Sequence, residues 1–343
     1  MKASLQCLTF LVLFLGVTST YALEIYLLDM SAGTLIVTPQ GETILIDAGH
    51  KVYEERDVER IRKVVVDIEG LDRIDHLVIT HFHTDHFGAV RQLAKTLPIG
   101  RVYDHGPIDD IPEDPNDYKV LYPEYIEASD GKRTGLTPGA EIPLRQGDMP
   151  LQIRCLATNR KRIAPASTVR NNLCADSDAP VDERITEDHK SVVLLVRYGA
   201  FEFLHLGDLP VSEELQLVCP VNLIGEIDFL QTAAHGKKMS SSPSFLHSIS
   251  PIAAWMNNAS GKGGDPEVVE RLQKVPGFLD VYQNHFNERA GVDRNTPREL
   301  IANIGPRESC PGHWLRLAVD GDGKSFTVNN QRNGLTRRYQ VRP

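Results

Sequence analysis

Past its first two dozen residues, this 343-residue chain has no apolar run long enough to cross a bilayer, which takes about 20 residues as a helix. It has no internal repeat at short period, which excludes solenoid and propeller arrays. It has no linker, which leaves one compact domain as the simplest organisation. It has no Gly-x-Ser-x-Gly elbow and so no evident serine nucleophile. Cysteine is scarce, five in all, and none is assigned as a metal ligand. Positive charge is in deficit, with 37 Lys and Arg against 46 Asp and Glu. An acidic surface repels nucleic acid and anionic lipid at long range. The rest is ordinary for a soluble globular protein, 41% hydrophobic and 24% charged.

The segment 1–22 differs from the rest. Lys2 supplies a positive start, Leu8 to Val17 is almost purely apolar, and Thr20-Tyr21-Ala22 offers a cleavage site. The pattern reads as a secretory signal peptide. The expectation is a secreted or periplasmic protein, residues 23–343, with no membrane attachment after cleavage. Cys7 lies inside the apolar run and not beside a small-residue cleavage site, so a lipoprotein anchor is disfavoured. Loss of Lys2 leaves a formal charge of 36 − 46 = −10. The remaining cysteines are Cys155, Cys174, Cys219 and Cys310. An even count in an exported chain is compatible with disulfides, but three pairings are open. Cys219, at the end of an apolar run, reads equally well as a buried free thiol. The oligomeric state is left open.

The chemistry is concentrated in His81-Phe82-His83-Thr84-Asp85-His86, directly after the apolar run Leu77-Val78-Ile79-Thr80. Four metal-ligand types fall within six residues at the end of a predicted buried strand. Imidazole with carboxylate suits zinc, or iron and manganese. His81 and His83 share a face on extended backbone. Asp85 and His86 follow where the strand ends and can turn toward a second ion.

Alternating β and α patterns surround this motif. Strands are predicted at Leu23–Met30, Thr34–Thr38 and Thr43–Ile46, joined by turns that suggest an antiparallel start. Helical spacing covers Asp57–Ile68 and Phe87–Leu97. Residues 104–140 lack a period and read as loop or short helix; residues 158–188 read as an irregular insertion. Glu141–Leu144 and Leu151–Ala157 are strand-like, and Val192–Arg197 with Phe201–Leu206 flank a hairpin turn. Further strands are expected at Ile227–Leu230 and Ile252–Met256, helices at Val211–Val218, from Ser244 and over Pro266–Lys274, and a terminal hairpin at His313–Asp320 and Ser325–Asn329.

The hexapeptide resembles the signature of the metallo-β-lactamase superfamily. The resemblance implies an α/β fold, a four-layer αββα sandwich in a single domain, with metals in a cleft at one edge of the two sheets. It also implies three downstream ligands, and candidates stand in order. Asp208 follows Leu206-Gly207 at a strand end, His235 follows the run Asp228–Ala234, and His189 is the only histidine between His105 and His205. Within the superfamily, Leu28–Gly33, Thr43–Gly49, Ser191–Asp208 and Ala234-His235-Gly236 are similar to the hydrolase domain of ComEC-type DNA-uptake proteins. Ala32, Thr34 and Ala234 replace residues usual in that branch, which bears on its substrate contacts.

Carried over from the family, His81, His83 and His189 would hold one divalent cation, and Asp85, His86 and His235 the other, with Asp208 between them. Zinc is the first expectation, Mn2+ or Fe2+ the alternatives. Asp47 would support a ligand histidine from behind, and Asp85 would double as the catalytic carboxylate. The implied activity is a binuclear hydrolase that uses a metal-bridging hydroxide on an ester, lactone, amide or phosphodiester bond. The partner would be a small molecule or polymer fragment, with nucleic acid disfavoured. A nuclease related to DNA-uptake proteins and a mononuclear iron dioxygenase are the alternatives. Diiron oxidoreductases on this fold usually carry Glu where this chain has His83. His313 is read as a packed strand residue, and His50, His76, His105, His205, His247 and His285 carry no assigned role.

Overall fold

The computed structural model describes residues 21–30, 32–174, 184–305 and 310–342. The expected signal peptide therefore lies, but for its last two residues, outside the described residues. Among the described residues, no helix is long and apolar enough to cross a membrane.

The chain opens with an antiparallel meander, β1 (Tyr21–Leu27), β2 (Thr34–Val37) and β3 (Thr43–Ile46). Next come α1 (Glu54–Arg62), β4 (Ile74–Val78), α2 (Thr84–Phe87), α3 (Val90–Thr96), β5 (Ile99–Asp104), α4 (Pro115–Ala128) and β6 (Arg133–Gly135). From β3 to β6 the strands pair in parallel. The second sheet is built from β7 (Leu151–Thr158), β8 (Lys161–Arg162), β9 (Val193–Tyr198), β10 (Phe201–His205), β11 (Phe229–Gln231), β12 (Ala253–Met256), β13 (Asp280–His285) and β14 (Ile301–Asn303). Its helices are α5 (Val211–Val218), α6 (Pro243–Ile249) and α7 (Pro266–Leu272). The chain then returns to the first sheet as β15 (Leu315–Asp320), β16 (Ser325–Asn330) and β17 (Thr336–Gln340). The orders are β17-β16-β15-β1-β2-β3-β4-β5-β6 and β14-β13-β12-β11-β10-β9-β7-β8.

Burial separates the layers. Ile25, Ile36, Ile44 and Ile46 of the first sheet pack against Leu194, Val196, Phe203, Phe229 and Trp255 of the second. Alternate residues of the first sheet, Tyr26, Leu35, Leu45 and Leu77, face Val58, Ile61, Leu93 and Tyr125 on its helices. Leu195, Leu204, Leu230 and Ala254 face Leu217, Phe245, Leu246 and Val268 on theirs. The period of two along each strand thus feeds two faces, and both are covered, which explains the near-continuous apolar strands. The result is the αββα sandwich.

Several local expectations change. The predicted helix Phe87–Leu97 is broken into α2 and α3 at Gly88-Ala89. A Cβ on Gly88 would lie 2.3 Å from Thr84 O and 2.6 Å from Lys51 N, so the turn closes only on glycine. The stretch 104–140 carries a 14-residue helix, α4. Glu141–Leu144 contributes only an isolated bridge, Glu141 to Arg154. Cys174 and Cys219 form a disulfide, while Cys155 and Cys310 are free.

Candidate metal centre

Strand ends from both sheets meet at one edge. After β4 the chain leaves the first sheet at Ile79-Thr80, and α2 turns Asp85 and His86 back toward the cleft. β10 and β11 run parallel and deliver Asp208 and His235 just past their C-terminal ends. β9 is antiparallel to β10, so the Glu187–Lys190 turn before it lies at the same edge. Val192 N donates to Thr80 O (2.9 Å), tying the two sheets together beside the motif.

Three groups of donor atoms gather there, each within 4.8 Å: His81, His83 and Asp188; His81, His86 and Asp208; and Asp85, His86 and His235. Asp188 Oδ1 lies 2.8 Å from His83 Nδ1 and 3.3 Å from His81 Nε2. His235 Nε2 lies 3.2 Å from Asp85 Oδ2 and 3.1 Å from Asp208 Oδ2. His86 Nε2 lies 3.5 Å from Asp208 Oδ1, so Asp208 stands between His86 and His235.

The opposite nitrogen of each imidazole is held elsewhere. His81 Nδ1 meets Thr80 Oγ1 (3.1 Å), His83 Nε2 meets Glu113 Oε1 (3.2 Å), His86 Nδ1 meets Asp47 Oδ2 (2.8 Å), and His235 Nδ1 meets Asn257 O (3.3 Å). Such outer contacts fix ring orientation and tautomer around a metal. The same Asp47 carboxylate also accepts from Thr80 N (2.8 Å). No local sequence pattern marks Glu113, Asn257 or Asp188.

His189 stands apart. It belongs to none of the three groups. The Glu187–Lys190 segment is a tight 3-10 turn, in which successive side chains point roughly 120° apart. With Asp188 turned toward His81 and His83, His189 turns away, and its Nδ1 accepts from Thr186 N at 3.1 Å. The carboxylate one residue earlier stands beside His81 and His83 instead.

The donor set fits divalent cations on a direct observation. His86 Nε2, His235 Nε2, Asp188 Oδ1 and Asp208 Oδ1 are buried and crowd neighbouring donor atoms at 2.8–3.5 Å without a well-aligned hydrogen bond. Four polar atoms stranded in one cleft would be costly without a ligand. Electrostatics point the same way. Burial pushes the Asp85 and Asp208 carboxyls up, but the neighbouring His86 and His235 outweigh it and hold both well below the usual range. Burial lowers His81, and the adjacent His86 lowers it further, so its lone pair is kept. Lys262 reaches Asp85 Oδ2 from the half-exposed side. Its loop is strapped to the His235 turn by Gly264 N to His235 O, 2.8 Å. A Cβ on Gly263 would stand 2.1 Å from that carbonyl oxygen, which demands glycine.

Residues 28–150 match the model of the metallo-β-lactamase superfamily. A 75-residue stretch is 37% identical to ribonuclease J 1 of Streptococcus pyogenes, covering 21% of this chain and 13% of that protein. CmlA, a diiron β-hydroxylase from Streptomyces venezuelae, is 14% identical, with 76% of this chain and 52% of that one covered and a TM-score of 0.46. A proposed metal-dependent hydrolase from Parabacteroides distasonis is also 14% identical, over 73% of this chain and 88% of that one, with a TM-score of 0.38. The matched stretch is thus a small part of the ribonuclease, and the chain spans about half of the hydroxylase. The family match and the two-sheet architecture support the metallo-β-lactamase superfamily, a class of generally metal-dependent hydrolases with some oxygenases.

Proposed function

We propose that this chain is an exported, binuclear metal-dependent hydrolase. One observation carries the reading: buried imidazole and carboxylate atoms from four separate segments converge, and several are left without a well-aligned hydrogen bond. In this reading His81, His83 and Asp188 hold one cation, Asp85, His86 and His235 the other, and Asp208 lies between them. When bound, the two cations would supply an ionised water at neutral pH and Lewis acidity toward the substrate. Zinc is preferred, with manganese or iron as alternatives.

The chain's own residues do the rest. Asp47, Glu113, Thr80 and the Asn257 carbonyl hold the imidazoles in register. Phe82, packed against His105, Tyr122 and Tyr125, walls the motif from solvent on one side. Asp85, at the side where Lys262 enters, is the carboxylate suited to orient a water and pass its proton on. The substrate is an ester, lactone, amide or phosphodiester, carried by a small molecule or polymer fragment, and α4, preceded by the Glu113 that reaches His83, borders the recognition surface. The similarity of Leu28–Gly33, Thr43–Gly49, Ser191–Asp208 and Ala234-His235-Gly236 to the ComEC-type domain supports kinship with that branch. His83, in place of the Glu of diiron oxidoreductases, favours hydrolysis over oxygen chemistry. The Cys174–Cys219 disulfide supports export to an oxidising compartment.

The test combines metal analysis of the purified protein with a panel of ester, lactone, β-lactam and phosphodiester substrates, using His81→Ala as control. Turnover on one substrate class that disappears in the variant is expected. Fewer than one bound zinc, manganese or iron per chain would sink the reading.

A further inference from the structure

A second, separate constellation sits where the two sheets meet the C-terminal segment. Asp29 follows β1, His285 ends β13, and Cys310 precedes β15. They are 256 and 281 positions from Asp29, yet their donor atoms lie within 4.8 Å of one another. Asp29 Oδ1 is 2.6 Å from His285 Nε2, and the Cys310 thiol donates to Asp29 Oδ2 at 2.9 Å. None of these residues belongs to the centre described above.

Three features point to a ligand. His285 is only 6% exposed, yet its Nδ1 makes no hydrogen bond among the described residues. His285, Asp29 and Cys310 line a common cavity with Ser260 and Arg60. The cavity measures about 20 Å3, room for one water and for nothing organic. Arg60 holds the two ends together: it ion-pairs with Asp29 Oδ2 at 2.9 Å and donates to the backbone oxygens of Asp29 and Cys310. A fourth side chain, Asn303, fixes the thiol from behind, its Oδ1 lying 3.3 Å from Cys310 Sγ.

We propose that Asp29, His285 and Cys310 form a mononuclear site for a borderline-soft divalent cation, zinc or cobalt, with one water completing the shell. One oxygen, one nitrogen and one sulfur donor make the three-ligand set of an open tetrahedral site, and sulfur excludes magnesium and calcium. On binding, Cys310 gives its thiol proton to solvent, the sulfur–metal bond forms, and His285 binds through Nε2 with its proton on Nδ1. Thiolate and carboxylate then balance the dication, and Arg60 keeps its backbone contacts. The site would pin the C-terminal segment to the first turn of the fold.

The sulfur makes it separable from the main centre. Metal-stripped full-length protein is titrated with Co2+ and read by absorption. A near-ultraviolet thiolate-to-cobalt charge-transfer band is expected, with an intensity that corresponds to one thiolate-bound ion per chain beside the ions taken up by the main centre. It should vanish in Cys310→Ser and in His285→Gln, each with unchanged circular dichroism, and persist in Cys155→Ser. His81→Ala should retain the band, so loss of the main centre and loss of this site read out independently. Absence of the band at saturating cobalt, or its persistence in Cys310→Ser, would overturn the proposal.

Discussion

Asp47 Oδ2 lies 2.8 Å from His86 Nδ1, and the same carboxylate accepts from the backbone and hydroxyl of Thr80. Asp47 sits at φ 63°, a left-handed conformation that aspartate tolerates better than most residues but still at a cost. That backbone bend aims its carboxylate at the motif from the end of β3. His86 is thereby turned so that Nε2 faces Asp208 and Asp85.

Removing that support should loosen the metal without emptying the cleft of ligands. Asp47→Ala is expected to weaken affinity at the second cation roughly 10–100-fold, measured by competition with a chromophoric chelator. An unchanged affinity would show that His86 needs no orienting partner.

Asp188 and His189 give opposite expectations. Asp188→Ala should bind one cation fewer per chain by elemental analysis, whereas His189→Ala should keep full stoichiometry. The reverse pattern would restore the histidine as ligand.

Lys262 occupies Asp85 Oδ2 through its ammonium, a position a cation must share or take. Lys262→Met removes that competitor. Affinity for the ion held by Asp85 should rise about fivefold, corresponding to ~1 kcal/mol for a partly exposed pair. Calorimetric titration decides, and a fall in affinity would mean that Lys262 assists binding.

His205 offers a pH test at a buried histidine that is not itself a candidate ligand, although His86 and Asp208 lie close enough to act on it. Burial drives its pKa down to about 4, and Gln231 Nε2 donates to its Nε2 at 2.9 Å, which needs the neutral ring. A depressed folded value means the unfolded chain binds the proton more tightly. Stability from this group is complete above pH 6.5 and is lost as pH falls toward 4. The full window is worth about 3 kcal/mol. Urea unfolding at pH 7 and pH 5 should show a steeper loss for the native protein than for His205→Gln; equal slopes would refute it.

The disulfide spans 45 positions, and closing a loop of that size restricts the unfolded chain by about 4 kcal/mol on the entropic view. Cys174→Ser is expected to lower Tm by several degrees, as is reductant on the native protein. No change in either would mean the bridge constrains little.

The hexapeptide was legible because its ligands are contiguous and follow a buried strand, so local pattern alone placed them. Asp208 and His235 stand out only through the ligand order that the superfamily resemblance implies, since strand-then-turn context alone does not separate Asp208 from an ordinary turn aspartate. Asp188 was not, because aspartate is common in turns and the adjacent histidine is the stronger ligand by type; only the handedness of one short turn decides between them. Glu113 and Asn257 act across distances of 30 and 22 positions, which no periodicity encodes. Helix α4 was hidden because Pro123 lies inside it and only Leu121 and Tyr125 are buried. Strands β5, β6, β8, β13, β14 and β17 are not evident from the sequence; β14 is three residues long, and β17 buries only Tyr339, too little pattern for an alternation to stand out.

The ligands at the cleft come from both halves of the sandwich, β4 on one side and β9, β10 and β11 on the other. Ions lodged there would act as rivets through the seam. Scarcity of metal in the surroundings would then reach the whole molecule as slackened docking between its halves, and resistance to proteases would track supply of the ion.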